Sequence, residues 1–183
     1  SRILYKNNQK RVDGYKIFNE TIKAGLENNT SHYFYGNSEE VISKLISILK
    51  KRYPNVNING YNCPPVGSPE SLSSSYYQDL ILQKDPDIVW VSLGFPKQEK
   101  VIRNFKNSDQ FSSNLVGIGF AIEWVAGTKI KAPELLANIG LEWIFRLVQE
   151  PKRLYKRYLV DNSLFIIYFL KQLFLKDREI KKS

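Results

Sequence analysis

Ile88-Val89-Trp90-Val91-Ser92-Leu93-Gly94-Phe95-Pro96-Lys97-Gln98-Glu99 runs from an apolar segment through a glycine into a polar cluster that opens behind a proline. A continuous apolar run, rather than an alternating one, is how a buried parallel strand reads. Proline at the first helical position marks a helix start, so the stretch spells strand, tight turn, helix. The unpaired N–H groups of a first helical turn, with the helix dipole behind them, face any anion lodged there. The spacing therefore predicts a phosphate-binding turn lined by Gly94, Pro96, Lys97, Gln98 and Glu99. An ordinary strand-to-helix loop is the plain alternative, because every βα unit contains one.

The same rhythm extends outward. Helical spacing over about Tyr15–Leu26 precedes a short strand at Tyr33–Tyr35, then Gly36 and a helix from Ser38 to Lys51. Ser38 followed by Glu39 and Glu40 reads as an N-cap, and Val41, Leu45, Ile46 and Leu49 fall on one face, as in a helix lying on a sheet. Asn55–Asn59 is a second strand candidate, Gly60–Pro69 with its prolines is a loop, and Pro69 opens a helix through about Gln83. Lys97–Phe105 makes a helix behind the central strand, and Leu115–Ile118 is an apolar strand ending near Gly119. Alternating β and α segments predict an α/β fold, a Rossmann-like parallel sheet flanked by helices. Ligands then bind at the carboxyl ends of the strands, where Gly36, Gly94 and Gly119 all fall.

Composition narrows the class. The 183 residues are 43% hydrophobic, enough for a sizeable core, and contain a single cysteine and a single histidine. Cys63 alone makes neither a disulfide nor a cysteine-based zinc site within the chain, which points to a reducing compartment. His32, beside Tyr33-Phe34-Tyr35, reads as a partly buried structural residue. The net charge of +9 and pI near 9.5 call for an anionic partner: nucleic acid, an acidic membrane surface or a phosphorylated substrate. No stretch approaches the ~20 apolar residues of a membrane span, and no signal-peptide core is present, so a cytoplasmic location is expected. Asp85-Pro86-Asp87 has the Asp-x-Asp spacing with which sugar-nucleotide enzymes hold a divalent cation, but it precedes its strand and Pro86 suits a turn. Neither metal nor cofactor is expected.

Past Gly127 the character changes. Pro133 opens a helix, Leu141–Val148 forms another that Pro151 ends or bends, and Lys152, Arg153, Lys156 and Arg157 share one helical face with Arg146 extending the positive field. The aromatic run Leu164–Leu170 follows closely. Cations beside aromatics suit a helix lying at an anionic membrane surface; packing of the run onto the protein's own core is the competing account. The expected organisation is an α/β domain over 1–140 and a basic helical appendage over 141–183.

These residues together resemble the WecG/TagA/CpsF family of bacterial glycosyltransferases. The family's Gly-x-Pro-Lys-Gln-Glu is matched by Gly94–Glu99, and its Gly-Val-Gly, Phe-Asp and Ala-Gly segment by Gly117–Gly127. Its Arg-Ala-Pro resembles Lys131-Ala132-Pro133. Leu141-Glu142-Trp143, Arg146-Leu147, Glu150-Pro151, Arg153 and Arg157-Tyr158 follow in family order; upstream, Arg11–Gly14 and Gly60–Pro65 also match.

The resemblance implies a metal-independent, inverting transfer of an N-acetylmannosamine-type sugar from a UDP donor to a polyprenyl-diphosphate-linked acceptor sugar. It implies attachment to the inner membrane face through the basic appendage, with oligomerisation open. By the same implication Gln98 is catalytic. Gly36, Gly94, Pro96, Lys97, Glu99, Gly119, Glu123 and Lys131 bind the donor, Glu99 alternatively organising its neighbours, and Arg11, Arg146, Arg153 and Arg157 bind the acceptor. The chain also departs from the family. The resemblance begins partway into the family domain, which makes 1–140 a partial Rossmann-like domain and would put the family's Asp-Gly catalytic base before Ser1. Glu123 stands for an Asp, Lys131 stands for an Arg and lacks its bidentate fork, and Lys16 stands for the Asp that usually follows Arg-Val-x-Gly. A catalytically incomplete donor- and membrane-binding fragment is therefore one alternative. A basic nucleic-acid-binding module is another, against which stands the absence of helix-turn-helix, zinc or RNA-binding signatures.

Overall fold

The computed structural model describes residues 13–108, 110–138, 141–152, 154–155, 163, 167–168 and 171–172. Residues 11–130 form one compact unit, and the chain from Lys131 onward belongs to another. The first unit opens with α1 (Gly14–Gly25), β1 (Ser31–Gly36), α2 (Glu39–Arg52) and β2 (Asn57–Asn62). It continues with α3 (Pro69–Leu72), α4 (Ser75–Leu82), β3 (Ile88–Ser92), α5 (Lys97–Lys106), β4 (Asn114–Gly117) and α6 (Ala121–Val125).

The four strands form a parallel sheet in the order β2-β1-β3-β4. Every residue of β1 is buried, as a strand covered on both faces must be. Alternation then sorts the two cores. Phe34 and Trp90 meet Phe18 and Ile22 of α1, Ile42, Leu45 and Leu49 of α2, and Ile122 of α6. Tyr33, Tyr35, Val89 and Val91 point to the other face, against Leu72, Ile81, Val101 and Phe105 of α3, α4 and α5. The expected α/β sheet flanked by helices is what the chain builds.

The caps follow the sequence. The Asp13 carboxylate accepts from Lys16 N–H at 2.9 Å to start α1, and Ser38 Oγ accepts from Val41 N–H at 3.4 Å to start α2. Two expectations are corrected. The segment from Gly60 is strand rather than loop up to Asn62. Gly60 pairs with Tyr33 just after a register shift, and a Cβ there would meet the Tyr33 ring at 3.0 Å. Its glycine makes room for a ring, one of the reasons glycine occurs inside strands. The single helix expected over Pro69–Gln83 is two. Ser73 Oγ bonds back to Pro69 O at 2.7 Å and Ser74 is extended (φ −60°, ψ 159°), so the serine run breaks the helix as serine hydroxyls tend to do.

In the second unit, α7 (Glu134–Asn138) starts one residue after Pro133, and α8 (Glu142–Gln149) stops at Glu150, just ahead of Pro151. Trp143, Ile144 and Val148 of α8 are exposed. Among the described residues, no helix is long and apolar enough to cross a membrane.

Candidate functional site at the carboxyl edge of the sheet

The strand order locates the site. The chain passes from β1 to β2 on one side, then crosses back to place β3 on the other side of β1, so the order reverses between β1 and β3. In open α/β sheets, ligands occupy the crevice outside the carboxyl ends of the strands at such a reversal. Gly36, Asn37, Ser92 and Gly94 stand at this point, with Gly117 and Gly119 beside them at the end of β4.

The backbone there is tightly constrained. Gly36 has φ 101°, and a Cβ on it would stand 2.6 Å from the Ser92 carbonyl oxygen. Asn37 follows with φ 66°, a conformation that non-glycine residues seldom adopt but asparagine tolerates. Its Oδ1 accepts from Ser38 N–H at 2.8 Å and its Nδ2 donates to Ser92 Oγ at 3.1 Å. Ser92 Oγ in turn donates to the Gly119 carbonyl at 2.8 Å. One hydroxyl thus connects the loops that leave β1, β3 and β4.

Gly94 (φ 75°) turns the chain, the Phe95–Pro96 peptide is cis, and Pro96 is the N-cap of α5 rather than its first residue. Gln98 N–H donates back to Gly94 O at 2.9 Å; among the described residues, the N–H groups of Lys97 and Glu99 have no backbone acceptor. Lys97 is half-buried and Glu99 exposed.

Gln98 does not face outward with them. It is 8% exposed, and its amide lies against two glycines: a Cβ on Gly117 would come 2.9 Å from Nε2, and one on Gly119 would come 3.3 Å from Oε1. Nε2 donates to Glu99 Oε1 at 3.0 Å. A carboxylate only accepts, so this bond fixes which end of the amide is nitrogen. Oε1 is buried and, among the described residues, has no hydrogen-bond partner. A buried carbonyl in that state costs about 1–3 kcal/mol, which a ligand N–H or O–H would offset.

Of the other expected site residues, Glu123 is half-buried in α6, and its backbone carbonyl closes the turn at Gly127 by accepting from Thr128 N–H at 3.0 Å and Lys129 N–H at 3.3 Å. Lys131 and Arg146, both half-buried, belong to the second unit, Arg146 on α8. Arg11, Arg153 and Arg157 lie outside the described residues. Asn37, Ser92 and Gly117 are not among the expected site residues, although an asparagine directly after a strand-ending glycine is a left-handed-turn signal.

The opposite end of the sheet is structural. The Asp87 carboxylate accepts from both Ser31 N–H and Ser31 Oγ at 2.7 Å, and Asp87 N–H donates to Ser31 Oγ at 2.9 Å. Those bonds hold the carboxyl below its ordinary pKa and tie the starts of β1 and β3. His32, 1% exposed, accepts from Trp90 Nε1 on Nδ1 at 3.2 Å; burial lowers its pKa to about 4 against the pull of Asp87. Burial, with Glu39 nearby, pushes the Cys63 thiol up to about 11, so it is no ready nucleophile. Among the described residues, no group of three or more His, Cys, Asp and Glu is placed to hold a metal ion.

The model of the glycosyl transferase WecG/TagA/CpsF family matches residues 1–179. The chain belongs to this family. A relative from Bacillus subtilis (strain 168) is named N-acetylglucosaminyldiphosphoundecaprenol N-acetyl-beta-D-mannosaminyltransferase. It is 31% identical over 159 residues, 84% of this chain and 57% of its own length. A protein of the same name from Staphylococcus aureus (strain MW2) is 29% identical over 174 residues, 94% of this chain and 63% of its own. The chain thus spans 57% to 63% of the length of these two relatives. In this WecG/TagA/CpsF member, the Gly94–Glu99 segment lies at the reversal of the sheet.

Proposed function

We propose that this chain binds a UDP-linked N-acetylmannosamine-type sugar at the carboxyl edge of its sheet and takes part in transferring that sugar to a polyprenyl-diphosphate-linked acceptor. The family and the relatives' names support the reaction class and the acceptor chemistry. The UDP donor is supported by the site. In this reading the diphosphate rests at the start of α5, near the Lys97 and Glu99 N–H groups and the Lys97 ammonium, where the helix dipole favours negative charge. Gly36, Gly94 and Gly119 let the backbone approach it closely. The family resemblance adds Glu123 and Lys131 to the donor contacts and gives the acceptor diphosphate to Arg11, Arg146, Arg153 and Arg157.

The observation that carries the reading is the buried Gln98 Oε1, without a partner among the described residues. A phosphate oxygen brings no proton to it, whereas a sugar hydroxyl or acetamido N–H does. In this reading Gln98 meets a proton-bearing group of the donor, assigned here to the transferred sugar, and the helix start meets the diphosphate. Under this assignment Gln98→Ala weakens binding of the UDP-sugar by about tenfold and leaves that of uridine diphosphate unchanged. Transfer by the full-length protein falls by on the order of 10²-fold. Calorimetric titration with both ligands and a radiolabelled transfer assay measure these; equal UDP-sugar affinity and unchanged turnover would remove Gln98 from the site.

The net charge of +9 supports a companion proposal, that the region from Leu141 onward meets an anionic membrane surface on the cytoplasmic side.

A further inference from the structure

We infer that Ser92 is a positioning residue for the sugar-reading amide, acting through Gly119, an assignment that rests on the reading of this edge as the donor site. Ser92 is 6% exposed and its hydroxyl is used in both directions, donating to the Gly119 carbonyl at 2.8 Å and accepting from Asn37 Nδ2 at 3.1 Å. Gly119 is left-handed (φ 52°) and packs on Gln98, so close that a Cβ would sit 3.3 Å from Oε1. The turn at Gly119 is thus the wall that sets where the buried carbonyl of Gln98 stands, and Ser92 Oγ holds that wall to the end of β3. Asn37 anchors the same hydroxyl from the end of β1. Side chains from two different strand ends are linked in series onto one carbonyl beside the ligand-reading atom, which a bond needed only for strand pairing would not require. Glu99 fixes the rotation of the Gln98 amide, and Ser92 fixes the surface against which it rests.

Two measurements on the chain decide it: the NMR resonances of the Gln98 side-chain amide and of Gly119 N–H without ligand, and titration with the UDP-sugar. Ser92→Ala is expected to shift both sets of resonances and to weaken UDP-sugar binding about tenfold. Ser92→Thr, which keeps the hydroxyl, restores both. Resonances of Gln98 and Gly119 that stay in place in a folded Ser92→Ala protein would overturn the clamp, whatever the nucleotide does. Shifted resonances with unchanged UDP-sugar affinity would keep the clamp but refute its role in binding. A wild-type chain that binds no UDP-sugar would instead refute the proposed donor site. Should Ser92→Ala fail to fold, Asn37→Gly takes its place. Glycine accepts φ 66° and removes the donor to Ser92 Oγ together with the acceptor for Ser38 N–H, so unmoved Gln98 resonances there also overturn the clamp.

Discussion

Gln98 shows how much a residue's type leaves open about its direction. Its place in a first helical turn puts it with Lys97 and Glu99 along the ligand edge, and only the structure shows the slot, opened by Gly117 and Gly119, into which its amide folds. The neighbouring glycines serve different ends, and substitution separates them. Gly36→Ala brings a Cβ against the Ser92 carbonyl as well as into a strained φ, so a loss above about 3 kcal/mol is expected in urea unfolding. Gly94→Ala meets nothing within 4 Å among the described residues and bears only the φ 75° penalty, about 1–2 kcal/mol. Equal losses at the two positions would contradict the crowding at Gly36. His32 makes a pH prediction. Its folded pKa near 4 lies below the ordinary 6.5, so the unfolded chain takes up a proton first as pH falls, and stability drops between about 6.5 and 4 by up to about 3 kcal/mol. Asp87, with its lowered pKa, contributes stability that is lost as pH falls from the ordinary carboxylate value through its folded one, below most of that window. In His32→Gln, which cannot titrate, the stability measured by urea midpoints should be flatter from pH 7 to about 4.5; an undiminished slope would assign the pH dependence to other groups.

At the scale of elements, the caps rank by geometry. Asp13 accepts at 2.9 Å and Ser38 at 3.4 Å, so Asp13→Ala is expected to cost about 1 kcal/mol and Ser38→Ala about half that, in thermal or chemical unfolding. The reverse order would mean that Asp13 matters less to α1 than its bond indicates. The Ser38 cap and the amphipathic run behind it were legible because both are local: a side chain reaching three residues on, and a face repeating every turn. The start of β3 at Ile88 and a helix beginning near Lys97 were legible for the same reason. The break between α3 and α4 was not: the Ser73 hydroxyl bonds back to the Pro69 and Glu70 carbonyls of its own turn, but Asn104, which donates to that hydroxyl at 2.8 Å, comes from α5. Nor was the end of β2, where Gly60 looks like punctuation until Tyr33 is seen filling the space above it.

Across the whole molecule, Trp90 joins the layers of the first unit. It is fully buried, lies 4.8 Å edge-on to Phe18 of α1, and donates to His32. Trp90→Ala is expected to destabilise this unit by about 3–5 kcal/mol, read from urea denaturation followed by circular dichroism. A loss below about 1 kcal/mol would mean the sheet tolerates the cavity. The basic balance of the chain makes a prediction at the same scale. Sedimentation with vesicles containing anionic lipid should capture the protein at low salt and release part of it at high salt, because screening weakens the attraction of charges to an anionic surface. Capture by neutral vesicles that salt does not alter would attribute binding to the aromatic residues alone.

The order of residues by itself determined the alternation of strand and helix, the glycines at the strand ends, and the family, because each is written in short spacings of residue type. Only the tertiary structure decided where the sheet reverses, that Asn37 and Ser92 meet there, and that Gln98 turns inward with its carbonyl buried. Those depend on contacts between segments up to 55 residues apart, as for Asn37 and Ser92, and on the shape of the space between them, which no local pattern encodes.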